Sequence, residues 1–260
     1  MAWSNRRSYG LPVCPIKPRR SLSQSVAVII WMSRSKLRLG FWGGICYNNE
    51  MVSDQRKFRL GILGSGKGSN AAAIADACAS GEIPGEVVLV ASDVENAGIL
   101  ERARTRGLEA LYIAPGKFRS RLDDTAEAAF IQALQRAGVD LVVLAGFMRI
   151  LRGGFLRTFA NRVVNIHPAL LPAFPGLEAW KQALDYGVKV TGVTVHFVDQ
   201  GIDTGSIIAQ ETVPVVPGDT PETLHARIQE VERKIYPASI AALARGEIRA
   251  QGRHTVWKKV

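Results

Sequence analysis

The sequence is short of cysteine and of long apolar runs, and both shortages exclude whole classes of protein. Its three cysteines, Cys14, Cys46 and Cys78, include no Cys-x-x-Cys pair and cannot all be paired. A disulfide framework and a cysteine zinc site are therefore excluded, and a reducing compartment is expected. The longest apolar candidate, residues 26–31, is far shorter than the roughly 18 residues that a membrane helix needs. We predict neither a membrane segment nor a bound metal.

Most of the chain also lacks a basic stripe of the kind that nucleic-acid-binding proteins carry. The formal net charge is +10 at pH 7, but residues 1–57 hold ten Lys or Arg against two acids and so carry +8 of it. The rest is nearly neutral, and no nucleic-acid partner is predicted. Since 47% of the residues are apolar, the chain can form a buried core.

Three interpretations of the basic extension, residues 1–57, are open. It is rich in Arg and Ser and poor in acids, as transit peptides are, whereas its apolar stretch is short for a secretory signal. Translation that begins at Met51 is favoured, because a strand-like segment starts seven residues later and nothing before it looks folded. We expect a disordered extension or a mis-assigned start, and a cytoplasmic protein, or an organellar one if the transit peptide is genuine.

From Phe58 onward, strand signals alternate with helix signals. The predicted strands are 58–63, 86–92, 111–113, 140–145, 162–166, 189–198 and 206–216, and the predicted helices are 70–79, 99–106, 122–137, 177–186 and 220–243. This order predicts one α/β domain over residues 58–260, with a doubly wound, mostly parallel sheet and helices on both faces. Thr220 should cap the last helix, and Pro237 should kink or break it. Ligands of such sheets bind beyond the carboxyl ends of the strands.

The first of these strand ends leads into the turn Gly64-Ser65-Gly66-Lys67-Gly68-Ser69-Asn70. A dinucleotide fingerprint fails because Ser69 stands where its third glycine belongs, and a P-loop fails because Gly68 follows Lys67. Glycines let a ligand approach the backbone, and the helix that follows offers free N–H groups to a phosphate. The turn therefore favours a phosphorylated small molecule, the alternative being a plain strand–helix turn.

A second group of polar residues follows a later strand. Asn165 and His167 are two apart in an extended segment, so both point to the same side. Donors of this kind stabilise the oxyanion of an acyl transfer, and a carboxylate such as Asp203 would favour the protonated histidine. The alternative is a structural histidine and a turn-forming aspartate.

Six motifs occur in order along residues 58–257. They are Ser65-Gly66-Lys67-Gly68-Ser69-Asn70, Leu144-Ala145-Gly146-Phe147-Met148-Arg149-Ile150-Leu151, Asn165-Ile166-His167-Pro168, Val195-His196-Phe197-Val198, Asp203-Thr204-Gly205 and Ile235-Tyr236-Pro237. Together they resemble the phosphoribosylglycinamide formyltransferase family. The resemblance implies that residues 58–260 form a catalytic domain that passes the formyl group of 10-formyltetrahydrofolate, as co-substrate, to the amine of glycinamide ribonucleotide in de novo purine biosynthesis.

The resemblance also implies a role for each matching residue. Asn165 and His167 would form the catalytic pair, and Asp203 would tune the histidine. The implied ribonucleotide contacts are Gly68, Ser69, Asn70, Gln229 and Glu232, and the implied folate contacts are Arg121, Met148, Arg149, Ile150, Leu151 and Asn165. The implied partners are these small molecules, with no metal, and the chain would be a monomer or homodimer.

Two departures from the family and three alternative functions stand beside this interpretation. Ala173 stands where a basic residue is common, and Thr204 stands where some members have glycine. A formyltetrahydrofolate hydrolase usually carries a regulatory domain, for which residues 1–57 are too short. A binding protein for phosphorylated metabolites would not need Asn165, His167 and Asp203 together. A tRNA formyltransferase is disfavoured by the nearly neutral charge of residues 58–260.

Overall fold

The computed structural model describes residues 56–258, so the predictions for the extension lie almost wholly outside the described residues. The strands are β1 (Phe58–Leu63), β2 (Gly85–Ser92), β3 (Ala110–Tyr112), β4 (Leu141–Leu144), β5 (Val163–His167), β6 (Val190–Phe197), β7 (Ile207–Pro214), β8 (Ile248–Gln251) and β9 (His254–Trp257). The helices are α1 (Ser69–Ser80), α2 (Gly98–Arg104), α3 (Asp124–Arg136), α4 (Gly153–Thr158), α5 (Ala179–Tyr186) and α6 (Pro221–Ala244).

Seven strands form one sheet in the order β3-β2-β1-β4-β5-β6-β7, and β8 and β9 form a separate hairpin. The first five strands of that order pair in parallel, whereas β6 and β7 pair antiparallel. The strand order reverses between β1 and β4, and in open α/β sheets this switch point is where ligands bind. The predicted mostly parallel sheet is confirmed.

The sheet separates two apolar cores because successive side chains of a strand point to opposite faces. In β1, Ile62 packs in the core beneath α1, α2 and α6, and its neighbour Leu63 packs in the core beneath α3 and α4. In β4, Val143 packs in the core beneath α1, α2 and α6, and Val142 packs in the core beneath α3 and α4. The near-continuous apolar strands of the sequence thus arise from a sheet covered on both faces.

The last helix differs from its prediction. Thr220 caps α6 as expected, with its hydroxyl accepting a hydrogen bond from the Thr223 amide, but Pro237 does not end the helix. Proline in a helix interior costs about 3 kcal/mol. Leu224, Ile228 and Ile240 are fully buried along α6, and this packing outweighs the cost of Pro237.

Two elements were not predicted at all. The helix α4 is only six residues long and starts with two glycines, so its sequence has little helical character. The β8–β9 hairpin has four-residue strands, too short to stand out from their surroundings. Among the described helices, none is both long and apolar enough to cross a membrane.

Candidate active site

The turn after β1, residues 64–70, places the start of α1 at the switch point. Gly68 is the residue before the helix and has a φ of 79°, in the left-handed region that glycine tolerates best. A Cβ on Gly68 would lie 2.6 Å from the Cα of Ile99, so no side chain fits there. Within the described residues, no side chain caps this helix start, and its first N–H groups remain available to an anion.

Asn70, in the first turn of α1, is brought to Glu232 of α6. The Asn70 Nδ2 donates a hydrogen bond to Glu232 Oε2 at 2.9 Å, whereas the buried Asn70 Oδ1 has no partner among the described residues. Burial raises the pKa of Glu232, and the Asn70 hydrogen bond partly opposes this. A buried amide acceptor and a buried carboxyl group side by side favour a ligand that brings hydrogen-bond donors, such as hydroxyl groups.

Gln229 lies one turn before Glu232 on α6. Its Nε2 is 3.2 Å from His225 Nε2, and the His225 ring stacks on Trp180 of α5 with centroids 3.7 Å apart and 3° between the planes. Burial lowers the pKa of His225, and the charge of Lys67 lowers it further. The two predicted α6 residues are therefore on the side of the helix that faces the turn after β1.

The catalytic candidates meet at the end of β5. Asp203 Oδ2 is 3.3 Å from His167 Nδ1, and Asp203 Oδ1 is 3.7 Å from His196 Nε2. Asn165 Nδ2 is 3.3 Å from His196 Nε2. His167 is 4% exposed and Asp203 is held in a loop with a φ of 54°, a conformation that aspartate tolerates better than most residues. The structure thus brings Asn165, His167 and Asp203 together, as the sequence predicts.

His196 completes this cluster, although its sequence position predicts no role for it. It lies opposite Asn165 in the antiparallel β5–β6 pair. Its Nδ1 bonds the Phe197 carbonyl at 2.8 Å, so Nδ1 carries the proton and Nε2 can accept from the Asn165 amide. Burial lowers the pKa of His196, which favours this neutral form. His196 stands in the motif Val195-His196-Phe197-Val198, but its position opposite Asn165 depends on the register of β5 against β6, which is not visible in the sequence.

The other ring nitrogen of His167 also faces an acceptor. Its Nε2 is 2.8 Å from the carbonyl oxygen of Phe174, in the loop that joins β5 to α5. The same loop is tied to the cluster by Gly176, whose amide donates to Asp203 Oδ2 at 2.8 Å. A ring with an acceptor at each nitrogen satisfies both when it carries two protons. The arrangement therefore suits a positively charged hydrogen-bond donor.

The predicted folate residues occupy different environments. Met148 and Ile150 are 59% and 45% exposed, and they leave apolar surface open after β4, whereas Leu151 is buried in the core beneath α3 and α4. Arg149 is turned inward onto Asp93, with its Nε 2.6 Å from Asp93 Oδ2. Arg121 lies over the ring of Phe118, 3.3 Å from its centroid, and pairs with Ile150 in an isolated bridge.

These groups lie along one edge of the sheet, because β1, β4 and β5 are neighbours and run parallel. The turn after β1, the segment after β4 and the cluster at the end of β5 are therefore adjacent. Residues 56–258 contain no group of three or more His, Cys, Asp or Glu side chains arranged to hold a metal ion. The groups that are present can bind an anion, donate hydrogen bonds and transfer protons.

Comparison with known proteins identifies the family. Residues 58–240 match the family model for formyl transferase. The chain belongs to the formyl transferase family. It is 46% identical over 203 residues to the phosphoribosylglycinamide formyltransferase of Mycobacterium tuberculosis (strain ATCC 25618 / H37Rv), covering 78% of this chain and 93% of that one.

A solved structure agrees with this membership. Glycinamide ribonucleotide transformylase 1 from Symbiobacterium toebii superimposes with a TM-score of 0.75 at 51% identity, over 78% of this chain and 95% of that one. The chain also matches longer proteins. It is 43% identical over 211 residues to the trifunctional purine biosynthetic protein adenosine-3 of Drosophila pseudoobscura pseudoobscura, but spans only 15% of that protein's length. The predicted kinship with phosphoribosylglycinamide formyltransferases is confirmed.

Proposed function

We propose that the chain transfers the formyl group of 10-formyltetrahydrofolate to the amine of glycinamide ribonucleotide, with tetrahydrofolate as the second product. The observation that carries this proposal is the cluster of Asn165, His167 and Asp203 beside an uncapped helix start on the same edge of the sheet. Family membership and the similarity to phosphoribosylglycinamide formyltransferases support it.

The ribonucleotide binds by its phosphate at the start of α1, on the backbone of Gly68, Ser69 and Asn70. Its ribose hydroxyls donate to the free Asn70 Oδ1 and to Glu232, whose carboxyl group the Asn70 amide orients. Gln229 extends the same wall of the site. The folate ring lies against the open apolar surface of Met148 and Ile150, and the Arg121 guanidinium pairs with a carboxylate of the folate tail.

The amine nitrogen then attacks the formyl carbon, and the carbonyl oxygen takes up the electron pair. His167 Nε2–H and the Asn165 amide stabilise this oxyanion, as preorganised donors do. His167 must first release the Phe174 carbonyl, so the formyl oxygen replaces an existing hydrogen bond. The tetrahedral carbon collapses, its bond to the folate N10 breaks, and a proton passes from the attacking amine to N10 through water near Asp203.

Consumption of 10-formyltetrahydrofolate with and without glycinamide ribonucleotide tests the proposal. We expect consumption only in the presence of the ribonucleotide, with formylated ribonucleotide as the product. Equal consumption without the ribonucleotide would identify a hydrolase instead. Consumption in neither case would contradict both enzymatic functions and leave a binding protein.

A further inference from the structure

Asp93 is a buried carboxylate to which no role has been assigned above. It directly follows β2 and is 4% exposed, and its two oxygens reach two different segments of the site. Oδ1 accepts a hydrogen bond from Ser65 Oγ at 2.5 Å, and Oδ2 accepts one from Arg149 Nε at 2.6 Å. One carboxylate thus joins the turn that follows β1 to the segment that follows β4.

The contact with Ser65 continues into the backbone of the folate segment, residues 146–151, which contains the predicted folate contacts that follow β4. The Met148 amide donates to Ser65 Oγ at 2.9 Å, and the Ser65 amide donates to the Gly146 carbonyl at 2.9 Å. The hydroxyl of Ser65 therefore donates to Asp93 and accepts from Met148, so its orientation is fixed from both sides. A displacement of the turn would break hydrogen bonds in the segment that bears Met148.

The contact with Arg149 reaches a third segment. Its Nη1 donates to the carbonyls of Phe118, at 3.0 Å, and Arg119. These residues lie three and two positions before Arg121, the predicted partner of the folate tail. The guanidinium is 16% exposed and the carboxylate of Asp93 is 1% exposed, so each charge depends on the other for a partner.

We propose that Asp93 is a positioning residue that makes the binding of the two substrates cooperative. This inference rests on the proposed function. A phosphate bound at the turn restricts the remaining motion of Ser65, and the hydrogen bonds of Asp93 pass this restriction to Arg149 and the folate segment. The folate therefore binds a more rigid segment, and the entropic cost of restricting the motion of these connected segments is met once for both ligands. By reciprocity, the folate strengthens binding of the ribonucleotide by the same factor.

Titration calorimetry with ribose 5-phosphate and 5-formyltetrahydrofolate tests this coupling. Ribose 5-phosphate occupies the turn, and 5-formyltetrahydrofolate carries its formyl group on N5 and serves as the folate probe. We expect the wild-type protein to bind the folate about fivefold more tightly, or better, when ribose 5-phosphate is saturating. In Asp93→Ala the two folate affinities should become equal.

Ser65→Ala supplies a second variant, since it leaves the Asp93–Arg149 ion pair in place and removes only the hydroxyl that joins it to the turn. It should lose the coupling as well, and Ser65→Thr should retain it because the hydroxyl is kept. Asp76→Ala is the matched control. This variant removes the ion pair between Asp76 and Arg106, which lies on the exposed side of α1. The coupling between the two ligands should persist in it.

Coupling that survives in both Asp93→Ala and Ser65→Ala would overturn the inference. A wild-type protein that transfers the formyl group but binds the folate equally well with and without ribose 5-phosphate would overturn it too, and would leave the proposed function intact. Loss of transfer in the wild-type protein would instead overturn the function on which the inference rests.

Discussion

The two ends of the candidate site present different kinds of chemical group, namely backbone N–H groups at one end and side chains at the other. At the turn after β1, residues 64–70, the groups proposed to bind the ligand are backbone N–H groups, and the geometry depends on Gly68 having no side chain. At the end of β5, the proposed reacting groups are side chains, and their geometry depends on the contacts of His167 with Asp203 and of Asn165 with His196. A backbone site is therefore sensitive to added volume, whereas a side-chain site is sensitive to a lost proton or charge.

The largest effect is expected at the side-chain end. His167→Asn or Asp203→Asn should lower kcat by about a hundredfold or more, because the donor to the oxyanion is lost or no longer oriented. The Kd for folate should change little, since the open surface of Met148 and Ile150 is untouched. Steady-state kinetics and folate titration of each variant measure the two quantities.

Intact turnover with weakened folate binding in these variants would contradict the assignment of the catalytic pair. The proposed difference between a binding turn after β1 and a catalytic cluster at the end of β5 would then be wrong, because both regions would contribute only to substrate binding.

A smaller effect is expected at the backbone end. Gly68→Ala should raise the KM for glycinamide ribonucleotide by about tenfold. The added methyl group would overlap with Ile99, so either Ile99 or the turn must shift, and the backbone N–H groups would lose their alignment with the phosphate. The value of kcat at saturation should change less than KM. Steady-state kinetics with varied ribonucleotide measure both.

Gly81→Ala is the matched control for this variant. Gly81 ends the same helix with a φ of 82°, but an added Cβ there meets nothing within 4 Å. Both substitutions carry a left-handed strain of about 1–2 kcal/mol, measurable by denaturant unfolding. Only Gly68→Ala should change KM, and an equal change in Gly81→Ala would mean that helix stability, not the turn, controls binding.

The smallest effect is expected on stability, at Glu232, which contacts Asn70 in the turn after β1. Burial raises the pKa of Glu232 above its value in the unfolded chain, so its contribution to stability is present at low pH and lost as pH rises through the folded pKa. Glu232→Gln should therefore raise the Tm at about pH 7, and the difference should shrink towards the usual glutamate range at about pH 4.5. Thermal unfolding at several pH values measures this.

The same variant should bind glycinamide ribonucleotide less tightly, because a charged acceptor for the ribose hydroxyls is lost. Glu247→Gln is its opposite control. Arg245 holds the pKa of Glu247 below its usual value, so that carboxylate stabilises the fold at neutral pH and its removal should not raise the Tm. A lower Tm for Glu232→Gln at neutral pH would contradict the argument from burial.

The sequence predicts local features of this molecule well. The order of strands and helices follows from apolar runs that end in glycine-rich turns, and the Asn165–His167 pair follows from a spacing of two residues in a strand. The contact of Asp203 with His167 was also predicted and is confirmed at 3.3 Å. The predicted break at Pro237 does not occur, because buried contacts along α6 outweigh a local preference.

Features that depend on register or on distant partners were not predicted. His196 faces Asn165 only because β6 runs antiparallel to β5 in one particular register. Arg149 was assigned to folate, yet its side chain turns to Asp93, 56 residues earlier in the chain. Neither fact leaves a trace in composition or spacing, since both arise when separate segments pack together.

One contact of α6 affects which connecting segments of the chain can become longer or shorter without moving Glu232. The hydroxyl of Tyr236, a fully buried residue, is shared between the carbonyl of Leu144 at the end of β4, at 2.9 Å, and the carbonyl of Val164 near the start of β5, at 3.1 Å. The helix is thus anchored to the sheet near its middle, one turn from Glu232. Residues inserted between β7 and α6, or after α6, need not shift that anchor. Natural relatives and designed variants can therefore differ in the lengths of these connections while Glu232 keeps its position.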